Sequence, residues 1–346
     1  MRKLLWLFGI VVVLAAAAAA IYWQRANAVM RAPGPHAQSV SLVVKPGATV
    51  RAALADLEKL GALSDRRAVE LFLRARGWPQ IKTGHYEIPA GASPEEILRQ
   101  LMEGRVVLEA LTVIEGWTFA EMRRAIEAHP EIKQTLRGQD VAGIMTAIGH
   151  PGEHPEGRFF PDTYRFAGGT TDRELYALAY RKMADTLDAA WNARAAALPL
   201  ANAYEALTLA SIVEKETGLA SERPRIAGVF TTRLRRNMRL QTDPTVIYGL
   251  GATFDGNIRE RDLRTDTPYN TYTRAGLPPT PIALPSKEAI EAATRPLETG
   301  DIFFVATGNG DGSHEFSATL EAHNAAVARY LAKLRGARVR GASVPR

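Results

Sequence analysis

The chain of 346 residues contains no cysteine, which removes disulfide frameworks, thiolate metal sites and a cysteine nucleophile together. Acid is missing from both ends. Residues 1–31 hold four basic residues and residues 333–346 hold five, with no Asp or Glu in either, so the formal net charge of +6 belongs to the termini. The body between them carries 34 basic against 37 acidic residues. A slightly acidic body lacks the positive footprint that phosphate backbones require, which excludes nucleic acid as a partner. Glycine (28) and proline (20) are too scarce for a fibrous or disordered chain, and a hydrophobic share of 46% with 23% charged residues is globular. The length exceeds the usual domain of about 100–200 residues, which predicts more than one folded unit.

What is present begins with an uncharged run over residues 4–23, LLWLFGIVVVLAAAAAAIYW. At about 1.5 Å per residue in a helix it matches a hydrocarbon core of about 30 Å. Arg2 and Lys3 precede it, and Trp6, Tyr22 and Trp23 stand where interfacial anchors do. This predicts a single-pass anchor with a cytoplasmic N-terminus over residues 1–23 and an extracytoplasmic body. Ala26-Asn27-Ala28 offers the A-x-A site of a cleaved signal instead. The apolar run, longer than a signal core of roughly 7–15 residues, favours the anchor. Either reading carries the body across the inner membrane of a bacterium. Residues 24–39, with Arg25, Arg31, Pro33, Gly34 and Pro35, read as a stalk.

A weak repeat follows over residues 40–61, 86–104 and 108–129. Each copy has a short β-type run, a turn glycine (Gly47, Gly91, Gly116), a hydroxyl residue (Thr49, Ser93, Thr118) and an amphipathic helical stretch. The hydroxyl residues are N-caps by position, and Pro94 followed by Glu95 and Glu96 suits a first helical turn. The pattern resembles LysM peptidoglycan-binding modules, and ordinary α+β packing units explain it equally well on motif grounds. Residues 40–130 are therefore expected to form a LysM-like subdomain. A catalytic domain over 131–335 is expected to open with a loop-rich stretch and a helix from about Asp172 to Ala197. A helix from Ala203 to Thr217, a Ser221-capped helix to about Arg236, a turn at Pro244 and a helix after Ser286 follow. A hairpin turned by GNGDGS and a helix from Thr319 complete it. Residues 336–346 form a basic tail. The fold class is α+β.

Chemistry concentrates in SIVEKET (211–217). Leu209, Ile212 and Val213 recur at helical spacing, so Glu214 falls beside an apolar face, where exclusion of water favours the proton-carrying form that a glycosidase acid needs. A solvated VEKE face with Glu–Lys pairing is the alternative. Glu216 lies about 200° further round the helix, so the pair cannot act as facing acid and base, and Glu216 reads as structural or supporting. LQTDPTVIYG and TPYNTYTRAGLPPTPI supply Gln241, Asp243, Tyr269, Asn270 and Tyr272, aromatic and amide side chains on proline-stiffened loops, suited to a glycan groove. Glu156 and Asp162 in EGRFFPDTY are the carboxylates outside the helix that bear on a cleft, with turn capping as the alternative. His314 and His323 lack any metal-ligand spacing and read as hydrogen-bonded structural histidines.

SIVEKET, RLRRNMRLQTDPTVIYG, TPYNTYTRAGLPPTPI, FFVA, HEFS and EAHN, in that order, with EG (115–116) and EGRFFPDTY upstream, resemble the motif series of the YceG-like endolytic murein transglycosylases. The resemblance covers nearly the whole chain. It implies cleavage of the β-1,4 bond between N-acetylmuramic acid and N-acetylglucosamine within nascent strands near the membrane, limiting strand length and leaving a 1,6-anhydromuramoyl end. It implies Glu214 as the single catalytic carboxylate and Gln241, Asp243, Tyr269, Asn270 and Tyr272 as substrate contacts. No metal and no cofactor are expected; the expected partners are peptidoglycan glycan strands, the inner membrane and peptidoglycan synthases. A membrane-anchored murein-binding adaptor without activity and a hydrolytic muramidase are the competing functions.

Overall fold

The computed structural model describes residues 2–45 and 47–339. The expected basic tail lies outside the described residues from position 340 onward. The chain divides into two compact units, residues 1–110 with 165–170, and residues 111–164 with 171–346.

The first unit begins with α1 (Arg2–Arg31), followed by β1 (Val40–Val44), α2 (Val50–Lys59), α3 (Arg66–Arg76), β2 (Gly84–Ile88) and α4 (Pro94–Glu103). β1 and β2 pair antiparallel from Val40 opposite Ile88 to Val44 opposite Gly84. Strand alternation turns Leu42, Val44, Tyr86 and Ile88 into a core shared with Leu54, Leu57, Val69 and Leu101. The expected caps are present: Thr49 accepts from Ala52 N, and Ser93 forms a reciprocal capping box with Glu96. The helix α3, which the repeat did not predict, makes this a β-α-α-β unit.

α1 contains a 23-residue stretch, Gly9–Arg31, long and apolar enough to cross a membrane. It does not stop at residue 23. Residues 24–31, expected as part of a stalk, continue the helix, with Ala26 and Met30 buried and the Trp23 ring stacked on Phe72 of α3 at 5.6 Å. The Pro33-Gly34-Pro35 segment ends it, because proline can neither donate to the ladder nor tolerate a helical residue before it.

The boundary between the units falls inside β3 (Leu108–Thr112) and its partner β4 (Thr163–Ala167). The third strand-turn-helix copy thus contributes its helix α5 (Phe119–Ala128) to the second unit, not to the unit that holds the first two copies. After α5 come α6 (Val141–Ala147), α7 (Asp172–Asn192), α8 (Ala203–Glu216), α9 (Arg223–Arg235), α10 (Asp243–Leu250), α11 (Glu260–Arg264), α12 (Lys287–Thr294), the antiparallel hairpin β5 (Phe303–Ala306) and β6 (His314–Ser317), and α13 (Leu320–Val339). The class is α+β.

α8 is the centre of the second unit. Every residue from Ala206 to Val213 is buried, and α7, α9, α10 and α12 pack around it. A helix apolar on all sides can only be an interior one. The two polar exceptions bond inward: the Thr208 hydroxyl donates to the Tyr204 carbonyl, and Ser211 donates to the Thr208 carbonyl and accepts from Ile282 N at 2.9 Å, so its hydroxyl ties the proline-rich loop to the core. α8 ends in the Glu214-Lys215-Glu216 turn, which delivers two carboxylates to different neighbours.

Candidate active site

Glu214 and Glu216 lie two residues apart on the last turn of α8, and their side chains leave the helix on different sides. Glu214 is 6% exposed. Its carboxylate does not press on Ile212 and Val213, which point into the core. Oε2 instead accepts from Ser286 N at 2.9 Å and from the Ser286 hydroxyl, and Oε1 accepts from Arg223 Nη2 at 3.3 Å. Ser286 is the N-cap of α12, so Glu214 sits on the positive end of that helix beside a buried guanidinium. Glu115 lies close enough to Glu214 that the negative charge adds to burial in raising its pKa. Gly116, at φ +76°, bonds through its N–H to Leu284 O at 2.8 Å and receives Lys215 Nζ on its carbonyl at 3.2 Å. The two oxygens of Glu214 tie the end of α8 to α9 and to the start of α12, and Lys215 ties it to the 115–117 turn.

Glu216 has the other kind of surroundings. It lines a cavity of about 520 Å³ with Arg233, Gln241, Thr242, Asp243 and Tyr272. Among the described residues, its carboxylate takes one hydrogen bond, from the Thr242 hydroxyl to Oε1. Burial, the largest effect, and the nearby Asp243 charge push its pKa up to about 7 from the usual 4.5, against the Thr242 bond and the Arg233 charge, which lower it. An acid titrating near 7 keeps a large protonated fraction at neutral pH while facing a space large enough for a sugar.

The remaining predicted residues separate into two groups. Gln241, Asp243 and Tyr272 come together at the cavity. Gln241 takes the left-handed conformation, φ +53°, and its backbone N–H donates to Thr271 O at 3.2 Å, so the chain reverses just where the side chains are presented. The Tyr272 hydroxyl donates to Asp243 Oδ1 at 2.6 Å. Asn270 does not reach the cavity. It is buried, and its Nδ2 donates to the carbonyls of Asp262, Leu263 and Thr265 while Oδ1 accepts from Tyr272 N, so it shapes the loop from within. Tyr269 packs edge-on against Tyr248 at 4.9 Å and bonds Thr280, a contact internal to the core.

Glu156 is buried, accepting from Phe119 N at 2.9 Å and from the Tyr248 hydroxyl at 3.0 Å, and desolvation raises its pKa to about 7. It caps the start of α5 and lines no cavity with Glu216. Asp162 is half-exposed and ion-paired with Lys182, which holds its pKa below the usual value.

Arg233, Thr242 and the β5 residue Phe303 are site residues that the sequence reading did not single out. Arg233 donates to the carbonyls of Ile302 and Leu240 at 2.7 and 2.8 Å, joining α9, β5 and the 239–242 turn beneath Glu216. The signal was available: Ile226, Phe230 and Arg233 share one buried helical face, and a cation there needs buried partners. Among the described residues no cluster of His, Asp and Glu suitable for a metal ion occurs.

The chain is similar over 310 residues to an endolytic murein transglycosylase of Bacillus subtilis, at 29% identity and covering 85% of each chain. An endolytic murein transglycosylase of Streptococcus pneumoniae is 27% identical over 84% of this chain, which spans 58% of that longer protein. The crystal structure of a YceG-like protein from Listeria monocytogenes matches with a TM-score of 0.52 at 27% identity, covering 83% of this chain and 99% of that one. The sequence profile of the YceG-like family matches residues 42–329, and with motifs, fold and relatives in agreement the chain belongs to the YceG-like family.

Proposed function

We propose that the protein is an endolytic murein transglycosylase, a lyase that cleaves the N-acetylmuramic acid to N-acetylglucosamine bond within glycan strands, and that its proton donor is Glu216 in place of Glu214. The observation that carries the assignment is a single proton-holding carboxylate on a sugar-sized cavity beside Gln241, Asp243 and Tyr272. Glu214, by contrast, has its oxygens engaged by Ser286 and Arg223. Glu216 gives its proton to the glycosidic oxygen as the C1–O bond breaks, and the substrate's N-acetyl carbonyl supports the cationic C1. The resulting carboxylate then takes the proton of the muramic C6 hydroxyl, whose oxygen bonds to C1. This leaves a 1,6-anhydro ring and returns the acid to its starting form without consuming water.

Asp243 on the same cavity is the observation that favours a hydrolytic muramidase, which needs a second carboxylate to activate water. The Tyr272 hydroxyl bond to Asp243 supports the transglycosylase, because it occupies one oxygen of that second acid. Mass spectrometry of digested glycan separates the two, since anhydro and reducing ends differ by one water. Glu216→Gln is expected to abolish anhydro ends with the protein folded, while Glu214→Gln keeps measurable activity and loses stability. The reverse pattern returns the role to Glu214; formation of either product by the wild type excludes the adaptor, and formation of neither favours it.

The first unit is proposed as a LysM-like glycan holder on a membrane anchor. Its β-α-α-β order and a cleft of about 530 Å³ lined by Thr49, Arg51, Trp78 and Gln80 support the reading, with Trp78 39% exposed and Arg51 over its ring. An exposed ring of this kind suits a sugar face. Trp78→Ala is expected to weaken retention on insoluble peptidoglycan without changing the product; unchanged retention removes the first unit from binding.

A further inference from the structure

One polar side chain on the Glu216 cavity is used neither by the fold nor by the proton transfers above. His323, on the first turn of α13, lines the cavity with Glu216 and Asp243. Its ring lies nearly parallel to Phe303, centroids 4.9 Å apart at 17°, and the Arg233 guanidinium lies over the same Phe303 ring at 5.3 Å. Its Nδ1 is fully buried and has no hydrogen-bond partner among the described residues. The other motif histidine is the opposite case: His314 donates its N–H to Glu222 at 2.9 Å and engages the same carboxylate through Nδ1 at 2.7 Å. Buried polar atoms in folded proteins are overwhelmingly paired, so a nitrogen left without a partner beside an open cavity asks for one from outside the chain.

The packing is suited to that. Stacking on Phe303 fixes the plane of the ring, yet a half-turn about χ2 preserves the stack and exchanges Nδ1 with Cδ2, so the polar atoms can be presented to a ligand at little cost. Burial, and then the charge of Arg233, hold the imidazole below its usual pKa. At neutral pH it offers one N–H and one lone pair, which matches a sugar hydroxyl, itself both donor and acceptor.

The geometry points to His323 as a glycan-binding residue that hydrogen-bonds a sugar hydroxyl in the Glu216 cavity and is retained for binding at the expense of stability. This rests on the cavity being the site of cleavage, and the test keeps the two apart. The full chain in detergent is assayed on purified glycan strands as wild type, His323→Phe, His323→Gln and Glu216→Gln, with melting temperatures measured alongside. His323→Phe extends the stack and removes the orphan nitrogen, so its melting temperature equals or exceeds wild type. Its KM for glycan rises about three- to tenfold, the loss of one hydrogen bond, with kcat little changed. His323→Gln, which carries an amide donor and acceptor, recovers part of that loss. A wild-type KM in His323→Phe, or a lowered melting temperature in that variant, overturns the inference in favour of a packing role. Wild-type cleavage by Glu216→Gln overturns the assignment of the acid, and the KM of His323→Phe still reports whether the cavity holds glycan.

Discussion

Two glutamates separated by one lysine differ in what surrounds their oxygens. Glu214 meets a helix N-terminus and a guanidinium, which fix its oxygens in place, while Glu216 meets a hydroxyl, a neighbouring carboxylate and a cavity. The pH dependence follows from the second set. Glu216 has its pKa raised to about 7, so the proton needed for leaving-group departure is present below that pH and lost above it, and cleavage falls as pH rises through about 7. Because Asp243 raises this pKa and the Thr242 bond lowers it, Asp243→Asn is expected to move the alkaline limb of kcat/KM to lower pH and Thr242→Ala to higher pH. Movement of the two limbs in the same direction, or a single limb unmoved by either change, contradicts the assignment. Stability has the same sign: a carboxyl whose folded pKa is raised costs stability as pH climbs from about 4.5 towards 7, and buried Glu156, also raised to about 7, adds to it.

Elements turn these residue differences into a site. α8 is legible in the sequence because its burial is continuous, and the caps at Thr49, Ser93 and Thr118 are legible because a hydroxyl three residues before a free N–H has few other uses. α9 starts later than a Ser221 cap predicts, at Arg223. It is initiated by the proline after Arg223 with Glu222 as an N-cap making no side-chain bond, and Ser221 plays no capping part. β4 is not legible in the sequence because Thr163–Ala167 is a short strand whose partner among the described residues, β3, is distant in sequence. The choice between Glu214 and Glu216 is illegible for a related reason: helical periodicity gives the side each faces, and the chemistry of that side comes from Ser286 of α12, 72 residues from Glu214, and from Thr242, 26 residues from Glu216. The N-terminus of α12 carries a prediction of its own. Ser286 both caps the helix through Ala289 N and binds Glu214, so Ser286→Ala removes a cap and leaves a buried carboxylate short of a donor. The expected loss is about 1–3 kcal/mol in denaturant unfolding, with the pH limb of cleavage unmoved. A displaced limb with unchanged stability would place Glu214 in the proton path after all.

For the whole molecule, the course of α1 bears on the proposed membrane anchoring. With Trp23 stacked on Phe72 and Ala26 and Met30 buried, the helix enters the first unit directly, and no flexible segment follows the apolar run. Residues 4–22, at about 1.5 Å each, supply about 28 Å, close to the hydrocarbon thickness. If this helix is retained in the bilayer, the first unit is held against the membrane surface by a continuous helix, in place of a tether that would let it range across the wall. The A-x-A sequence at 26–28 lies within that helix with Ala26 buried, which supports retention over cleavage. The protein isolated from bacterial membranes is therefore expected to have the mass of the uncleaved chain; a mature N-terminus at Val29 would refute this. A form beginning at Trp23 and exported on a cleaved signal keeps the contact with Phe72 and should match the full chain on isolated glycan. In cells at equal expression it should fail to shorten newly made strands, because it is no longer confined to where they emerge. Equal shortening by the soluble form would show that recognition of the strand, not confinement, selects the substrate.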